Sequence, residues 1–454
     1  MENEITEDNF NRLSAAIMTK YKCSNSEAMD KLLNFKLNLV CSEEIKESLP
    51  LQAALLTAVN SGKRAFLGGV TVVLPNDVDC LLPWPSGKKL NEIVLELSGN
   101  IDSVPNEDAF TITFGLPSKD DNTLQVICNS WQGGILVNGD NAIELPKSNQ
   151  LPLAGIAAGA LGIGLAFLKF SGISISACDS SKGISLWRPD LNWLHSDAQG
   201  PIIKDLPKKY WILGLGHLGQ AYLWNIGLLK YKNSSDVSIV LQDFDKITEA
   251  NYSAGLLCEH NNEKQFKTRV ASKWLEERGF NTLITERKYN ENTIRIEEEP
   301  FIALCGFDSA SARLHLDNTG FDLIVEAGLG GNLNEFDSIH LHTFPNSFKL
   351  PKDIWATVES ENEINSEVQK QFDHLEKNGC GIIAKTLASK AISSSFVGAF
   401  AGSLVIAELL RALNGGNRYD IISIHLRNME FNEAVLNKKK NYDVELSRNG
   451  FVSI

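Results

Sequence analysis

Hydrophobic and polar positions follow two different periods in the first half of the chain. Over residues 5–61 the apolar side chains recur at roughly helical spacing, which predicts helices. From residue 64 to about 137 the pattern changes to short β-like runs separated by Gly, Pro, Asn and Asp. The predicted strands are 71–74, 92–97, 110–114 and 124–128. The polar stretch 196–209, which contains a glycine and two prolines, is the best candidate for a domain boundary.

Strand-like and helix-like segments alternate after that boundary. The predicted strands are 210–213, 237–241, one near Leu283, 301–305, 323–327 and a last one at 421–425. The predicted helices are 219–230, 266–278, 309–316 and 396–413. This order is typical of an α/β protein with a Rossmann-like, doubly wound, mostly parallel sheet. A long irregular region is expected at 328–381, and loops of that length are usually functional or disordered.

One segment, 151–168, carries no charge and is long enough to cross a bilayer. Its Gly and Ala content favours a buried, closely packed helix, so we predict no membrane span. The segment is also similar to the predicted helix 396–413: when Leu153 is placed on Phe396, five of eleven positions agree. Either two Gly/Ala-rich helices are similar by chance, or the N-terminal half is a degenerate copy of the C-terminal half.

Composition limits the class of protein. A chain of 454 residues is long enough for two or three domains. Its net charge of −13 argues against nucleic-acid binding, which needs clustered Lys and Arg. The eight cysteines include no Cys-x-x-Cys pair, so we expect reduced thiols, and the N-terminus lacks a secretory signal pattern. Together these features predict a cytoplasmic protein.

Four residues near the start of the second half carry the clearest chemistry. Gly214, Gly216 and Gly219 follow its first strand and make the tight turn that lets backbone approach a phosphate. Asp243 lies 24 residues beyond Gly219, at the end of the next strand, where a carboxylate can bind both ribose hydroxyls. The pattern predicts a nucleotide site, and on these residues alone NAD and ATP are served equally.

Further motifs follow in a fixed order. They are Asp243-Phe-Asp245, Asn251, Lys267, the run from Cys305 to Arg313, and Cys380-Gly ahead of Phe396-Val-Gly-Ala399. This ordered set resembles the ThiF/MoeB and ubiquitin-activating-enzyme superfamily over about 210–433, roughly half the chain. Members of that superfamily adenylate the C-terminal glycine of a ubiquitin-like protein. The resemblance therefore implies an adenylyltransferase with ATP and Mg²⁺ as cofactors.

The same resemblance assigns roles residue by residue. It makes the three glycines the ATP phosphate loop and Asp243 the ribose-binding acid. Asn251 matches a polar residue that faces the nucleotide, and Lys267 matches the lysine that neutralises the triphosphate. Asp308 matches the carboxylate that holds magnesium, and Arg313 matches the arginine that closes the Asp-x-x-x-x-Arg pattern. Charges of this kind suit carboxylate attack on an α-phosphate.

Cys380 matches the crossover-loop cysteine of the family, here in a loop expected at about 328–395. A thiolate there can take the activated acyl group from AMP and hold it as a thioester. The alternative is a buried, inert cysteine, since free cysteines are commonly part of a core.

The other cysteines and histidines of interest are assigned no catalytic role. Cys258 and Cys305 are interpreted as structural, Cys305 because it ends an apolar strand. His217 lies inside the glycine loop and is expected to cover the nucleotide. His340 and His342 share a probable strand, and we predict no metal site from them.

The chain departs from the family pattern at two positions. Ala254 stands where the family usually has an arginine, and Ser309 stands where it has an asparagine. The paired cysteines that hold structural zinc in many bacterial members are missing. Either an arginine comes from elsewhere, for which Arg12 and Arg64 are candidates, or adenylation is weak.

The resulting hypothesis is an activating enzyme of two domains. Residues 1–200 would form an inactive, adenylation-like domain with a helical N-terminus, and 201–454 an active ThiF-type domain. Its partners would be a glycine-ended ubiquitin-like protein and a conjugating enzyme, with a homodimer possible and a bacterial antiviral role implied by resemblance alone. A catalytically inactive scaffold is the main alternative, and an NAD-dependent oxidoreductase is the weaker one because it gives Lys267, Asp308 and Cys380 no role.

Overall fold

Two β-sheets, one from each half of the chain, organise the computed structural model. It describes residues 6, 8–118, 120, 122–140, 143–307, 310–355, 392–438 and 450–454. The strands of the first sheet are β1 Leu37–Cys41, β2 Val70–Val73, β3 Asn100–Ile101, β4 Phe110–Phe114, β5 Thr123–Cys128, β6 Gln132–Leu136 and β7 Lys182–Ser185. A short antiparallel pair is made by β8 Asp205–Pro207 and β17 Phe451–Ser453. The strands of the second sheet are β9 Lys209–Leu213, β10 Ser238–Gln242, β11 Asn281–Thr285, β12 Ile302–Cys305, β13 Leu323–Leu329, β14 Ser338–Phe344, β15 Tyr419–His425 and β16 Glu433–Leu436.

The helices cover both sheets and meet between them. In the described part of the chain they are α1 Ser14–Tyr21, α2 Asn25–Leu33, α3 Leu49–Ala65, α4 Leu90–Glu96, α5 Leu153–Phe170, α6 His217–Leu228, α7 Lys267–Glu276, α8 Ala310–Arg313, α9 Pro351–Trp355 and α10 Ser395–Leu413. The apolar faces of α3, α5, α6 and α10 share one core, so the two halves are joined by a largely hydrophobic seam.

The order of the strands shows why the residues of the predicted nucleotide site lie close together. The central strand β9 pairs in parallel with β10 on one side and with β12 on the other. The chain therefore leaves β9 towards one side of the sheet and returns on the opposite side. In open α/β sheets, such a switch point leaves a crevice at the carboxyl ends of the strands, where ligands bind. The predicted α/β class with a mostly parallel sheet is confirmed.

The two sheets share one topology over seven strands, to which the second sheet adds β16. Their orders are β3-β2-β1-β4-β5-β6-β7 and β11-β10-β9-β12-β13-β14-β15-β16. In both, the first five strands are parallel and the next pairings are antiparallel. Helix α5 precedes β7 as α10 precedes β15, so the internal sequence similarity links helices in equivalent positions.

Helices α5 and α10 are long and apolar enough to cross a membrane by length and composition, but both are buried in this fold. Glycines allow the close packing. A Cβ at Gly159 would lie 2.9 Å from the carbonyl carbon of Ala54 on α3, which leaves no room for a side chain. The predicted buried, closely packed helix is therefore confirmed.

Several predicted elements are wrong. Residues 37–41 lie in the segment predicted as helical, yet they form the central strand β1, because long-range pairing with β2 and β4 outweighs local spacing. Residues 92–97 were predicted as a strand, but 92–96 belong to helix α4 and Leu97 caps it, since a short apolar run fits either structure.

The second half also holds more strands than the pattern predicts. The region 328–381, predicted to be irregular and part of the crossover loop 328–395, contains the antiparallel strand β14 and the helix α9. The strand at 421–425 is not the last one, because β16 and β17 follow it. Antiparallel edge pairings of this kind depend on tertiary contacts that a local pattern does not record.

Candidate nucleotide-binding site

The loop between β9 and α6, with the first turn of α6, contains three glycines that are required for different reasons. Gly214 has a φ of +82°, which favours glycine. A Cβ at Gly219 would lie 2.9 Å from the carbonyl carbon of Gly214 and closer still to its oxygen. At Gly216, by contrast, a Cβ would have no atom within 4 Å. Gly216 therefore borders open space at the N-terminus of α6, where backbone N–H groups attract an anion such as a phosphate.

Asp243 follows β10 directly and joins the strand end to the glycine loop. Its Oδ2 accepts a hydrogen bond from the backbone N–H of Leu215 at 2.6 Å, and its Oδ1 accepts one from the N–H of Asp245 at 2.8 Å. Burial raises the pKa of Asp243, and the positive charge of Lys267 opposes that rise. Each carboxylate oxygen has a second lone pair, so the group can still accept bonds from ribose hydroxyls.

Lys267 is the first residue of α7 and places a cation near Asp243. Its Nζ lies 3.0 Å from Oδ2 of Asp245. The lysine side chain is 10% exposed and that of Asp245 is 49% exposed. Because an ion pair with an exposed partner contributes little to stability, the lysine can exchange Asp245 for an anion of higher charge, such as a phosphate.

Residues 249–260 form a loop beside the glycine loop, and we refer to them as the loop 249–260. It opens with a 3-10 helix that Asn251 caps, because its Oδ1 accepts a hydrogen bond from Thr248 N–H at 3.0 Å. Asn251 therefore has a local structural role, and its nucleotide-facing role stays a prediction. Ala254, where the family has an arginine, is buried.

Gln220 connects the loop 249–260 to the glycine loop, and sequence reasoning did not identify it. Its Nε2 donates to the carbonyl of Leu215 at 3.1 Å, while its Oε1 accepts from the N–H of Leu257 at 3.0 Å. A Cβ at Gly255 would lie 2.6 Å from that Oε1, so the approach requires glycine. The clue in the sequence was the position of Gln220, directly after the last glycine of the motif.

The N-terminal segment reaches the same loop. The carbonyl of Asp8 accepts a hydrogen bond from Ala250 N–H at 2.7 Å, and the N–H of Arg12 donates to Oγ of Ser253 at 3.1 Å. The backbone of Arg12 is therefore anchored at Ser253, the residue before Ala254, where the expected arginine is missing. The structure keeps Arg12 as a candidate for that cation.

Arg64, the second candidate, is committed elsewhere. Its Nη1 donates to the carbonyl of Tyr252 at 3.1 Å, and its Nη2 donates to the carbonyls of Cys258 and Leu256 at 3.2 and 3.4 Å. Because the guanidinium is taken up by backbone carbonyls, the structure gives Arg64 a different role from the one considered in the sequence.

Arg313 joins the loop after β12 to β13. Its Nη2 donates to the carbonyl of Phe307 and to that of Ala327, the latter at 3.3 Å. Its Nε lies 3.5 Å from the fully buried carboxylate of Glu326, whose other oxygen lies 2.7 Å from Nδ1 of His342. Glu326 was not identified from the sequence, because a single acidic residue in an apolar strand carries no motif.

Three residues of interest lie outside the described residues: Asp308, Ser309 and Cys380. The predicted magnesium ligand and the predicted acyl acceptor therefore remain predictions. Within the described ranges there is no group of three or more His, Cys, Asp or Glu side chains that could hold a metal ion.

His217 does not extend over the open side of the glycine loop. Its ring packs against α10, where a Cβ at Gly398 would overlap it. Burial lowers the pKa of His217 to about 4, so the imidazole is neutral near pH 7. Cys258 and Cys305 are buried, and burial raises the pKa of both thiols, that of Cys305 to about 12, which fits their predicted structural role.

Comparison with known proteins gives two family matches. Residues 36–186 match the family described as BilD N-terminal domain, and residues 206–416 match the BilD C-terminal domain. The chain is 38% identical over 408 residues to the bacterial E1-like protein BilD of Collimonas sp. (strain OK412), an alignment that covers 88% of this chain and 87% of that protein.

Two solved structures show remote similarity. The crystal structure of E. coli MccB aligns with 13% identity and a TM-score of 0.35, covering 69% of this chain and 93% of MccB. E. coli tRNA N6-threonylcarbamoyladenosine dehydratase TcdA, in complex with AMP, aligns with 12% identity and a TM-score of 0.30, covering 45% of this chain and 85% of TcdA.

Proposed function

Because this chain belongs to the BilD family of bacterial E1-like proteins, we propose that it uses ATP to adenylate the C-terminal glycine of a ubiquitin-like protein. The observation that carries the proposal is the open space at Gly216, at the N-terminus of α6, with Asp243 and Lys267 beside it. Ribose would meet the carboxylate, and the phosphates would meet backbone N–H groups and a cation.

In the first step, a carboxylate oxygen of the partner's C-terminal glycine attacks the α-phosphorus of ATP. The bond between that phosphorus and the bridging oxygen breaks, and pyrophosphate leaves. Lys267 and Arg12 would offset the negative charge that develops on the phosphate oxygens. Magnesium, held by Asp308 as the sequence predicts, would supply additional charge compensation.

In the second step, the thiolate of Cys380 attacks the acyl carbonyl and AMP leaves, so the partner is held as a thioester. Exchange with the cysteine of a conjugating enzyme would then pass the partner on. This step fits a reducing cytoplasm, where free thiols persist.

In this proposal the N-terminal half binds no nucleotide and supports the C-terminal half. Its β1 has the position of β9, but Ser42, Glu43 and Glu44 follow β1 in place of a glycine loop. Two carboxylates there would repel phosphates. We therefore assign nucleotide binding to residues 201–454 and a supporting role to residues 1–200.

The buried Ala254 favours one rival, a scaffold that binds the partner without catalysis. Arg12 supports the proposal against that rival, because its backbone N–H binds Ser253, the neighbour of Ala254, and its guanidinium would supply the missing cation. A scaffold would bind the ubiquitin-like protein and form no AMP.

The test is incubation with ATP·Mg²⁺ and the small glycine-ended protein encoded nearest the gene, followed by intact mass spectrometry without reductant. Cys380→Ala is the key variant, and Cys23→Ala, a half-buried cysteine elsewhere, is its matched control. We expect a reducible adduct with the wild type and the control, and pyrophosphate with the acyl-adenylate of the partner but no adduct with Cys380→Ala. Pyrophosphate and acyl-adenylate without adduct in the wild type would remove Cys380 as acceptor, and the absence of pyrophosphate would favour the scaffold.

A further inference from the structure

The last turns of α3 carry three polar side chains into the seam between the two halves. Asn60 is fully buried, Arg64 is 5% exposed and the side chain of Lys63 is 11% exposed. All three contact the loop 249–260 in the other half. We call these three residues the α3 clamp. Buried polar groups of this kind are unfavourable unless they are paired, and the partners of Asn60 Nδ2, Lys63 Nζ and both Nη atoms of Arg64 lie in this loop.

Arg64 bridges two distant points of that loop with one guanidinium. It binds the carbonyl of Tyr252 through Nη1 and that of Cys258 through Nη2, at 3.1 and 3.2 Å. Asn60 adds a hydrogen bond from Nδ2 to the carbonyl of Leu256 at 3.0 Å. Because the acceptors are backbone atoms, these bonds fix the path of the loop and not merely its side chains.

The opposite side of the loop reaches the nucleotide site. Gln220 binds the loop through Leu257 and binds the glycine loop through the carbonyl of Leu215. The N–H of Leu215 in turn donates to Asp243 at 2.6 Å. A continuous set of hydrogen bonds therefore runs from α3 of the N-terminal half to the ribose-binding acid.

Packing alone does not explain the α3 clamp. The seam already contains the apolar contacts of α3, α5 and α10, which can hold the halves together without a buried guanidinium. Within the loop 249–260 itself, the regular structure is a short 3-10 helix, which gives little internal support. The loop is therefore held by hydrogen bonds from other parts of the chain, and the α3 clamp supplies those to Tyr252, Leu256 and Cys258.

We propose that Arg64, assisted by Asn60, is a positioning residue that holds the loop 249–260 against the glycine loop and so sets the affinity for ATP. This inference rests on the proposed function. Arg64 would not touch the nucleotide, which distinguishes it from Arg12.

The experiment compares Arg64→Met and Arg64→Lys with a matched control, Arg278→Met. Arg278 is also buried and also bridges the halves, since its guanidinium lies 4.4 Å from the ring of Trp84 and 3.7 Å from that of Trp274. Arg278 follows α7, whereas the loop 249–260 precedes it, and Arg278 is not part of the α3 clamp. Its replacement therefore reports on general loss of packing between the halves.

Two measurements are made on the full chain. One is KM for ATP and kcat in pyrophosphate exchange with the glycine-ended protein, and the other is amide hydrogen exchange of residues 249–260. For Arg64→Met we expect KM to rise about 10- to 100-fold, since a displacement of about 1 Å can have effects of that size, together with faster amide exchange in the loop. For Arg64→Lys we expect a smaller rise, and for Arg278→Met less than about a twofold change in KM with normal protection of the loop.

Equal KM values for Arg64→Met and Arg278→Met, or unchanged amide exchange in the loop of Arg64→Met, would overturn the inference. Failure of the proposed function looks different. In that case the wild type itself would show no pyrophosphate exchange, while amide exchange would still report whether Arg64 holds the loop.

Discussion

Replacing Gly216 and Gly219 separately by alanine distinguishes binding from folding at one loop. The two substitutions add the same methyl group three residues apart. At Gly216 the new Cβ would have no atom within 4 Å, and φ there is −70°. At Gly219 the Cβ would lie 2.9 Å from the carbonyl carbon of Gly214 and closer to its oxygen.

The expected magnitudes follow from these surroundings. Overpacking at Gly219 costs about 1–3 kcal/mol, or about 2–4 °C in Tm for each kcal/mol in a domain of about 150–250 residues. For Gly216→Ala, a weaker N-cap costs less than about 1 kcal/mol, and the lower entropy of the unfolded chain offsets about 0.4–1 kcal/mol of it. The methyl group would keep a phosphate from the backbone N–H groups, and losing one such charged hydrogen bond, about 1.5–3 kcal/mol, weakens binding about 10- to 100-fold.

The assay pairs thermal unfolding with equilibrium binding of a fluorescent ATP analogue. Gly216→Ala should keep the wild-type Tm and lose affinity, whereas Gly219→Ala should lose Tm first. Wild-type affinity in Gly216→Ala would refute the placement of a phosphate at this glycine. A drop in Tm as large as that of Gly219→Ala would show that the open space at Gly216 is not available to a side chain.

Four further predictions follow from single residues. Lys267→Met should raise KM for ATP more than about tenfold with little change in Tm, because its partner Asp245 is half-exposed; kinetics of pyrophosphate exchange check this. Arg12→Gln should lower kcat about 10²- to 10³-fold and change ATP binding far less, as comparison of single-turnover rates with binding would show. The pKa of His217 in the folded chain is about 4, so below about pH 6.5 the unfolded chain takes up a proton that the folded chain does not. The free energy of unfolding should therefore fall by up to about 3 kcal/mol as the pH falls from about 6.5 towards 4. Urea unfolding at about pH 7 and about pH 5 should show this fall, and it should be smaller in His217→Gln. Gly159→Ala should destabilise the chain by about 1–3 kcal/mol, because its Cβ would overlap α3, and an unchanged Tm would contradict that packing.

The sequence by itself determined the features that depend on local spacing. The alternation of apolar strands and amphipathic helices predicted the parallel α/β sheet, and the glycine spacing predicted the loop before α6. The uncharged segment 151–168 predicted a buried helix, which α5 confirms. Each of these rests on neighbours within a few positions of one another, so a linear pattern is enough to record them.

Tertiary structure alone decided which residues meet across the two halves. The strand β1 within a helical pattern and the antiparallel β14 form because distant partners pair with them. Arg64 was considered as a source of the arginine missing at position 254, yet it binds the carbonyl of Tyr252, 188 positions away in the chain. A guanidinium has the same charge and reach in either role, and only the position of its acceptors determines which one it fills.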